Sequence, residues 1–457
     1  MSKHLHFIGI CGTAMGSTAV AMRQLGYTIS GSDEKVYPPM SDVLRDAGIT
    51  VTEGYKAANL PAEAEVFVVG NAISRGNEEL ESMLERRLPY ISMAEMLRRE
   101  VIQGKRSFVV SGTHGKTTTT TMLAWIFENA GRNPGYMIGG VPENLSSGAR
   151  FNHSDLFVIE GDEYDTAYFD KRSKFLHYLP ECAIVNNIEF DHADIFPTLD
   201  DIKLTFQRLL NSVPRNGVVL LNGDDKNCLS LKSYAPVKTV GLGESCSERI
   251  VITSADPEST TFTINGESFT VPMIGEFNAR NAAMCVCAAR HAGLTDDEIR
   301  AGLESFLGVR RRQTIRGEVN GVTIIDDFGH HPTAIRETLR GFRQKYPGRR
   351  LWAVFEPRSN TSRRNVLQNE LIEALKEADG SVIAAVANPE KVAADQRLDV
   401  GVVAAAVAAS GHPCFHEADT DAIISRLKSE TKPTNVIIIF SNGGFDGIHG
   451  KLITALS

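Results

Sequence analysis

The sequence lacks the marks of a secreted, disulfide-bonded or membrane-spanning protein. Its seven cysteines include no Cys-x-x-Cys pair, and their number is odd. This pattern favours buried free thiols in a reducing cytosol over disulfides or a zinc site. The longest apolar runs, such as that at 435–440 with its Val-Ile-Ile-Ile core, are only strand-sized, and the first residues lead into a strand rather than a signal segment. We therefore expect a cytoplasmic protein without membrane insertion.

Basic residues are fewer than acidic ones in this sequence. The net charge is −8 at pH 7, and no basic tract offsets it, so nucleic acid is not expected as a partner. The chain has 457 residues, of which 42% are hydrophobic and 23% charged, a composition typical of soluble globular proteins. Such a chain is too long for one ordinary core, and its length predicts about three domains.

Short apolar strands alternate with helix-like stretches over much of the chain, which predicts parallel sheets covered by helices. We place the domain boundaries near residues 105 and 312, giving domains at 1–105, 106–312 and 313–457. A strand-rich insertion is expected from Val218 to about Met273, with a hairpin turn at Asn265-Gly266. The predicted fold class is α/β, with Rossmann-like domains at both ends and a P-loop ATPase-like domain between them.

The most informative motif is Ser-Gly-Thr-His-Gly-Lys-Thr-Thr at Ser111–Thr118. It stands between an apolar strand-like run and a helix-like one, so backbone N–H groups and a helix N-terminus point at one place, which favours phosphate. Lys116 can contact the outer phosphates, and the Thr117 hydroxyl can bind Mg²⁺. The spacing departs from the standard P-loop because Val110 stands where that pattern has its first glycine. We predict a nucleoside triphosphate site.

A second glycine-rich turn, from Gly9 to Gly16, follows the first strand. Asp33 stands after the next strand, where a ribose-binding acid of a NAD site would be found. The glycines, however, are not spaced as G-x-G-x-x-G. Three interpretations remain: a diphosphate site, a purely structural turn, and the NAD site of an oxidoreductase.

Two clusters of acids follow apolar runs in the central segment. Glu160-Gly-Asp-Glu-Tyr-Asp comes after one run, and Asn186-Asn-Ile-Glu-Phe-Asp-His192 after the next. Ligands of open α/β sheets bind at the carboxyl ends of the strands, so both clusters are expected near the phosphate loop. Oxygen ligands suit Mg²⁺, and a neutral histidine can complete a second cation site. Solvated acids in surface loops are the alternative.

Several other polar side chains are candidates for ligand binding. Asn278 and Asn281, one helical turn apart, can read an adenine edge, unless Asn278 is only a helix N-cap. Arg312 ends a run of three arginines that contacts the γ-phosphate or forms a basic loop. The adjacent His330 and His331 do not have zinc spacing. Arg358, in a loop after a strand, suits a carboxylate.

Taken together, these motifs resemble those of the Mur ligases, the ATP-dependent amide-forming enzymes of peptidoglycan synthesis. The resemblance spans the whole chain in order. Its main motifs are Gly-Ile-Cys-Gly-Thr-Ala-Met, Gly-Thr-His-Gly-Lys-Thr-Thr, Glu-Gly-Asp-Glu-Tyr-Asp, Asn-Asn-Ile-Glu-Phe-Asp-His and Asp-Asp-Phe-Gly-His-His-Pro. Other stretches, among them Glu-Pro-Arg-Ser-Asn-Thr, resemble one member of the family in particular.

The resemblance implies that ATP phosphorylates the carboxylate of UDP-N-acetylmuramate and that the amine of a cell-wall tripeptide attacks the acyl phosphate. Catalysis would then consist mainly of positioning and charge neutralisation. The implied catalytic residues are Lys116, Glu160 and His192, and the implied Mg²⁺ ligands are Thr117, Glu160 and His192. ATP would contact Gly112, Thr113, His114, Gly115, Lys116, Thr117, Thr118, Asn278, Asn281, Arg312 and Asp327. The substrates would contact Gly12, Thr13, Ala14, Met15, Asn71, His330, Arg358 and Asn360.

Three positions depart from the family pattern. Gly161 replaces an alanine, and Phe277 stands where a histidine commonly precedes the first asparagine. Gln207 aligns with a lysine that is carbamylated in some Mur ligases, so no carbamate is expected, with Lys203 as the nearest alternative. Within the family, transfer of L-alanine to the same sugar is the competing activity.

Overall fold

A computed structural model describes residues 2–457, and the chain separates into two compact units. Unit 1 comprises Met1–Ile188, Asp200–Arg249 and Met284–Gly302, and unit 2 comprises Glu189–Leu199, Ile250–Ala283 and Leu303–Ser457. No helix among the described residues is long and apolar enough to cross a membrane. The seven cysteines are free thiols, and all but Cys11 are buried.

Unit 1 begins with a five-stranded parallel sheet in the order β3-β2-β1-β4-β5. Its strands are β1 (His4–Ile8), β2 (Thr28–Asp33), β3 (Thr50–Glu53), β4 (Val66–Val69) and β5 (Tyr90–Ser92). Its helices are α1 (Thr13–Gln24), α2 (Met40–Asp46), α3 (Glu78–Glu85) and α4 (Met93–Leu97). The strand order reverses beside β1, so the turn after β1 lies at the switch point where α/β sheets bind ligands. This confirms the Rossmann-like prediction.

The second sheet of unit 1 also has parallel strands at its centre. Its strands are β6 (Arg106–Ser111), β7 (Gly135–Met137), β8 (Ala149–Arg150), β9 (Leu156–Glu160), β12 (Pro180–Val185), β13 (Val218–Asn222) and β14 (Val237–Gly241), with a separate hairpin of β10 (Asp165–Ala167) and β11 (Asp170–Ser173). Its helices are α5 (Lys116–Asn129), α6 (Leu199–Leu210) and α7 (Lys226–Leu229). Because β6 lies between β12 and β9, the ends of all three strands meet at the phosphate loop.

An antiparallel sheet is formed by β15 (Glu248–Ala255), β16 (Thr260–Ile264) and β17 (Glu267–Val271), all in unit 2 except the first two residues of β15. Asn265 and Gly266, with φ of 54° and 84°, form the expected hairpin turn between the last two strands. The long helix α8 (Glu276–Ala292) follows, and then α9 (Asp296–Glu304); residues 276–283 and 303–304 of these helices belong to unit 2 and the rest to unit 1. The predicted strand-rich insertion is therefore confirmed.

The remaining sheet of unit 2 has the order β18-β19-β23-β20-β21-β22, parallel except for the β18–β19 pair. Its strands are β18 (Thr314–Val319), β19 (Val322–Asp327), β20 (Leu351–Phe355), β21 (Gly380–Ala384), β22 (Cys414–Glu417) and β23 (Val436–Phe440). Its helices are α10 (Pro332–Lys345), α11 (Gln368–Leu375), α12 (Val400–Ala409), α13 (Thr420–Glu430) and α14 (Ile448–Leu456). The central strand β23 is buried throughout, as expected of a parallel strand covered on both faces.

Candidate active site

The phosphate loop of unit 1 connects β6 to α5 as predicted. Gly112 and Gly115 have φ of 132° and 79°, a region that favours glycine. A Cβ atom on Gly112 would lie only 3.0 Å from the backbone nitrogen of Asn186. Asn187 holds the loop: its carbonyl accepts from the Thr113 N–H at 3.1 Å, and its side-chain oxygen accepts from the His114 N–H at 2.7 Å. The N–H groups of the first turn of α5 are the kind of donors that suit an anion at a helix N-terminus.

Lys116 lies among carboxylates. Its Nζ donates to the Gly112 carbonyl at 2.6 Å and to Glu163 Oε1 at 2.9 Å. Both side chains are well covered, with 15% of Lys116 and 3% of Glu163 exposed. Burial works to lower the pKa of the lysine, but Glu163 and the neighbouring acids outweigh it and raise that pKa. Lys116 is therefore a fixed cation at the loop.

Glu160 and Thr117 form a pair of oxygen donors beside Lys116. The Thr117 hydroxyl donates to Glu160 Oε1 at 3.0 Å, and the Gly139 N–H donates to Oε2 at 2.7 Å. A Cβ atom on Gly139 would come within 2.8 Å of Oε2, so this close approach requires glycine. A hydroxyl and an oriented carboxylate are ligands that Mg²⁺ prefers, so the donor set fits that ion.

The other acids of the first cluster have protein partners. Asp162 accepts from Lys174 Nζ at 2.6 Å and from the Tyr164 N–H at 3.0 Å. Burial would raise the pKa of Asp162, but Lys174 outweighs it and the pKa is lowered. Asp165 bonds Lys171 and the Asn71 amide, the latter at 3.2 Å. The four acids are close together in the sequence, but their partners differ, so they do not share one role.

The first turn, between β1 and α1, is built from backbone and one carboxylate. The Gly9 and Ile10 N–H groups donate to the Ser32 carbonyl at 2.8 and 3.0 Å, and the Cys11 N–H donates to Asp33 Oδ2 at 2.7 Å. Gly12 precedes α1 without a side-chain cap. The predicted residues Thr13, Ala14 and Met15 form the first turn of that helix, which is a suitable anion site. Asp33 thus stabilises the turn itself.

In unit 2, Asn278 lies in the third position of α8 and is not its N-cap. Its Nδ2 donates to the Ile274 carbonyl at 2.8 Å and to Gln313 Oε1 at 3.4 Å. Among the described residues, the buried Oδ1 of Asn278 and Nε2 of Gln313 have no hydrogen-bond partner. These two amides are hydrogen-bonded to each other, and together they offer one unsatisfied acceptor and one unsatisfied donor. That combination suits the hydrogen-bonding edge of a nucleotide base. Gln313 directly follows the run of three arginines, but a single glutamine has no pattern of its own that would indicate a role.

Asp327 is buried at the end of β19. Its two oxygens accept from the Gly329 N–H at 2.7 Å and the Gln313 N–H at 2.9 Å. Burial raises its pKa, although Arg312 and the two N–H donors oppose the shift. The Arg312 guanidinium lies 4.9 Å from the centre of the Phe328 ring. Asn281 is also buried on α8. This part of unit 2 thus brings together Asn278, Gln313 and Asp327.

His192 lies in the segment Glu189–Leu199 of unit 2 and has a φ of 55°. The left-handed conformation costs a non-glycine residue about 1 kcal/mol. Asp191 Oδ1 accepts from the His192 N–H at 2.7 Å. Burial opposes the charge of Asp191, yet the neighbouring histidines and the Thr361 hydroxyl bring its pKa well below the usual range. His331 is the N-cap of α10, its Nδ1 accepting from the Thr333 N–H at 3.2 Å.

The candidate peptide-binding residues lie in the segments after β19 and β20: His330 follows β19, and Arg358 and Asn360 follow β20. Arg358 is 45% exposed and lies 3.7 Å from Glu356, whose carboxylate accepts from the Ser441 hydroxyl. Asn360 donates to Asp194 at 2.8 Å and accepts from Arg363 at 2.6 Å. His330 contacts the Phe328 carbonyl at 3.2 Å and lines a cavity. The cavity is also lined by Asp191, His331, Pro332, Phe355, Ser359, Thr361, Ser362, Arg364, Leu367, Leu371 and Leu398.

Gln207 on α6 has a structural role in unit 1. Its amide donates to the Lys232 carbonyl at 2.7 Å and accepts from the Lys232 N–H at 2.9 Å. Lys203 lies 3.6 Å from Asp200 on the same helix. The expectation that this chain carries no carbamate stays a prediction.

Comparison with known proteins gives matches to three family profiles. The "Mur ligase family, catalytic domain" matches residues 4–103, the "Mur ligase middle domain" residues 110–289, and the "Mur ligase, glutamate ligase domain" residues 310–443. They follow one another in the order of the predicted segments.

The similarity also extends over whole proteins. UDP-N-acetylmuramate–L-alanyl-γ-D-glutamyl-meso-2,6-diaminoheptandioate ligase of Escherichia coli (strain K12) is 40% identical over 461 residues, covering 99% of this chain and 98% of that protein. UDP-N-acetylmuramate–L-alanine ligase of Syntrophus aciditrophicus is 36% identical over 391 residues, covering 82% of this chain and 78% of that protein.

Solved structures give the same result. A murein peptide ligase from Psychrobacter arcticus has a TM-score of 0.73 at 37% identity and covers 100% of this chain and 99% of its own. UDP-N-acetylmuramate-alanine ligase from Thermotoga maritima has a TM-score of 0.78 at 20% identity, covering 99% and 98%, which supports the fold alone. The chain therefore belongs to the Mur ligase family, whose members are ATP-dependent ligases that form amide bonds, generally with Mg²⁺.

Proposed function

We propose that this chain joins the tripeptide L-Ala-γ-D-Glu-meso-diaminopimelate to UDP-N-acetylmuramate in peptidoglycan recycling, consuming ATP. The supporting observation is the 40% identity, along 99% of the chain, to a ligase named for these two substrates. Its substrates, ATP and a UDP-sugar, are metabolites of the cytoplasm, so we place the reaction there. The three domains would be those expected from the sequence, at 1–105, 106–312 and 313–457.

The reaction needs two steps because a carboxylate is a poor electrophile. In the first step, a carboxylate oxygen of the muramoyl group takes the γ-phosphoryl group of ATP, giving an acyl phosphate and ADP. In the second, the alanyl amine of the tripeptide attacks the acyl carbon, phosphate leaves, and the amine loses a proton. The substrate carboxylate is the nucleophile of the first step, so the enzyme needs no nucleophilic side chain. Its main task is to position the reactants and neutralise charge.

The geometry of unit 1 supports the first step. Lys116 is held as a cation by Glu163 and can neutralise phosphate oxygens, while Gly112, Thr113, His114, Gly115 and Thr118 shape the loop around them. Thr117 and Glu160 would hold one Mg²⁺, and His192 of unit 2 a second. Bound Mg²⁺ withdraws charge from phosphate oxygens. Gly12, Thr13, Ala14 and Met15 would bind the diphosphate of the UDP-sugar, with Asn71 nearby.

In unit 2, the unsatisfied amide atoms of Asn278 and Gln313 support adenine binding, with Asn281, Arg312 and Asp327 as further ATP contacts. The exposed Arg358 guanidinium suits a peptide carboxylate, and we keep His330 and Asn360 as peptide contacts. The NAD-dependent alternative is not retained, because the chain belongs to a ligase family and Asp33 bonds its own turn.

An amide-forming assay distinguishes this function from its nearest competitor, the transfer of L-alanine. Purified protein is given ATP, Mg²⁺ and UDP-N-acetylmuramate with either the tripeptide or L-alanine, and phosphate release and product mass are measured. We expect one amide product per ATP consumed with the tripeptide only. Product formed from L-alanine alone would reassign the chain to the competing activity, the one for which the relative from Syntrophus aciditrophicus is named.

A further inference from the structure

The strongest unassigned feature is the way the backbone around His192 is held. His192 has a φ of 55°, a conformation that a non-glycine residue adopts only where its surroundings enforce it. The His192 N–H donates to Asp191 Oδ1 at 2.7 Å, and its carbonyl accepts from the Ile195 and Phe196 N–H groups at 2.9 and 3.0 Å. These bonds come from the same segment, and contacts from another loop hold the residues on either side of His192.

Thr361 supplies those contacts. Its hydroxyl donates to the Asp191 carboxylate on one side of His192 and accepts from the Ala193 N–H, at 3.2 Å, on the other. A hydroxyl has one donor and two acceptor positions, so both bonds can form together. Thr361 and Asp191 are 3% and 4% exposed, so water does not replace either bond easily.

Thr361 is itself held in a stiff loop. Ser359 and Ser362 bond each other, with the Ser359 N–H donating to the Ser362 hydroxyl at 2.9 Å and the Ser362 N–H to the Ser359 hydroxyl at 3.0 Å. Asn360 adds a bond to Asp194 at 2.8 Å. The same loop begins with Arg358, three residues before Thr361.

We propose that Thr361 is a positioning residue that fixes the backbone at His192 and thereby links the Arg358 loop to the cation-binding histidine. The inference rests on the proposed role of His192 as a cation ligand. Movement of the Arg358 loop, for example when a peptide carboxylate binds, would reach the two neighbours of His192 through the Thr361 hydroxyl, beside the Asn360 bond to Asp194. The geometry thus connects recognition of the second substrate with the charge neutralisation needed for the first step.

The first test uses the ligand-free protein and needs no turnover. Thr361→Val keeps the shape and removes the hydroxyl, Thr361→Ser restores the hydroxyl, and Thr260→Val is the control. Thr260 is a buried threonine of unit 2 whose hydroxyl bonds the Met273 carbonyl at 2.8 Å, away from His192. We expect hydrogen exchange of the amides at 192–194 to become about tenfold faster in Thr361→Val only. Equal exchange in Thr361→Val and the wild type would overturn the proposal.

The second test measures Mn²⁺ affinity by calorimetry, without nucleotide. We expect Thr361→Val and His192→Ala each to weaken Mn²⁺ binding about tenfold, and the double variant to be no weaker than His192→Ala. Additive losses would overturn the positioning role, because Thr361 would then act independently of His192. An unchanged Mn²⁺ affinity in His192→Ala would instead contradict the proposed role of that histidine as a cation ligand. The hydrogen-exchange test does not depend on that role, so the two failures can be told apart.

Discussion

The two glycine-rich turns of unit 1 share a construction and differ in chemistry. Each follows a buried parallel strand and leads into a helix, and each contains glycine at positive φ, with Gly9 at 86° and Gly112 at 132°. Each is also held by acceptors next to a neighbouring strand, the first by Ser32 and Asp33 and the second by Asn187. Only the second turn brings together an ammonium group, that of Lys116, and the carboxylates of Glu160 and Glu163.

This difference indicates what each turn can do. The first turn has no charged side chain among Gly12–Met15, so it can offer a diphosphate only backbone N–H groups and a helix N-terminus. The phosphate loop adds a fixed cation at Lys116 and the oxygen donors of Thr117 and Glu160, which we propose as Mg²⁺ ligands. The first turn therefore suits binding alone, and the second suits a phosphoryl group whose charge changes during reaction.

Among the variants of the two turns, we expect removal of Lys116 to have the largest effect on activity. We expect Lys116→Ala to lower kcat about 10²- to 10³-fold, as the loss of one charge-stabilising donor typically does. It also leaves the buried Glu163 without its cation, and such losses destabilise proteins by about 3 kcal/mol. Steady-state kinetics and thermal unfolding measure the two effects.

The double variant Lys116→Ala/Glu163→Gln separates stability from catalysis. Neutralising Glu163 should recover most of the lost stability, because the uncompensated buried charge is gone, while kcat stays low. Recovery of kcat together with stability would show that Lys116 only supports the loop.

The next largest effect is expected at Glu160. Glu160→Gln should raise the Mg²⁺ concentration for half-maximal activity at least about tenfold, since loss of even a residue that orients a metal ligand often costs that much. A Mg²⁺ titration of initial rates measures it. Asp162→Asn is the matched control: Asp162 bonds Lys174 instead, so its Mg²⁺ titration should match the wild type.

Asp162→Asn should change the pH dependence of stability instead. The pKa of Asp162 is lowered in the folded protein, so its pairing stabilises the fold above the unfolded-state pKa of about 4 and is lost as the pH falls further. A variant without that carboxylate should be less stable at neutral pH and lose less on acidification. Equal Mg²⁺ shifts in both variants would contradict the distinct roles of the two acids.

The sequence predicted the sheets wherever apolar runs were continuous, as in β6, β20 and β23. It did not predict the hairpin of β10 and β11, because Asp-Lys-Arg-Ser has no strand pattern and is held by bonds such as Thr166 to the Arg172 carbonyl. The strand β22, Cys-Phe-His-Glu, was missed for the same reason.

Motifs identified the site residues but not their partners. Lys116 was identified from the strand–loop–helix pattern and Glu160 from a cluster of acids after an apolar run. The pairing of Lys116 with Glu163 and of Asp162 with Lys174 depends instead on how the hairpin folds back. Gln313 and Thr361 were missed because a single amide or hydroxyl acquires its meaning from a buried neighbour far along the chain. Such contacts arise from tertiary packing, which local patterns do not encode.

The smallest effect is expected at the first turn. Asp33→Asn replaces a hydrogen bond to a charged group by one to a neutral amide, a loss of about 1 kcal/mol, so we expect the KM for UDP-N-acetylmuramate to rise about fivefold with little change in kcat. Glu34→Gln, an exposed neighbour, should change neither constant. A fall in kcat comparable to that of Lys116→Ala would contradict the division between a binding turn and a reacting loop.

The thiol of Cys11 reports on the same turn without turnover. Burial raises the pKa of Cys11, and the negative charge of Asp33 raises it by a smaller amount, to about 11 in total. At pH 8 the thiolate is therefore roughly a hundredfold rarer than for a thiol with a pKa of 9, and alkylation should accelerate only as the pH approaches 11. Asp33→Asn removes the charge but not the burial, so its alkylation profile should move to lower pH. An unmoved profile would mean that Asp33 does not act on this turn through its charge, and the KM effect would then need another cause.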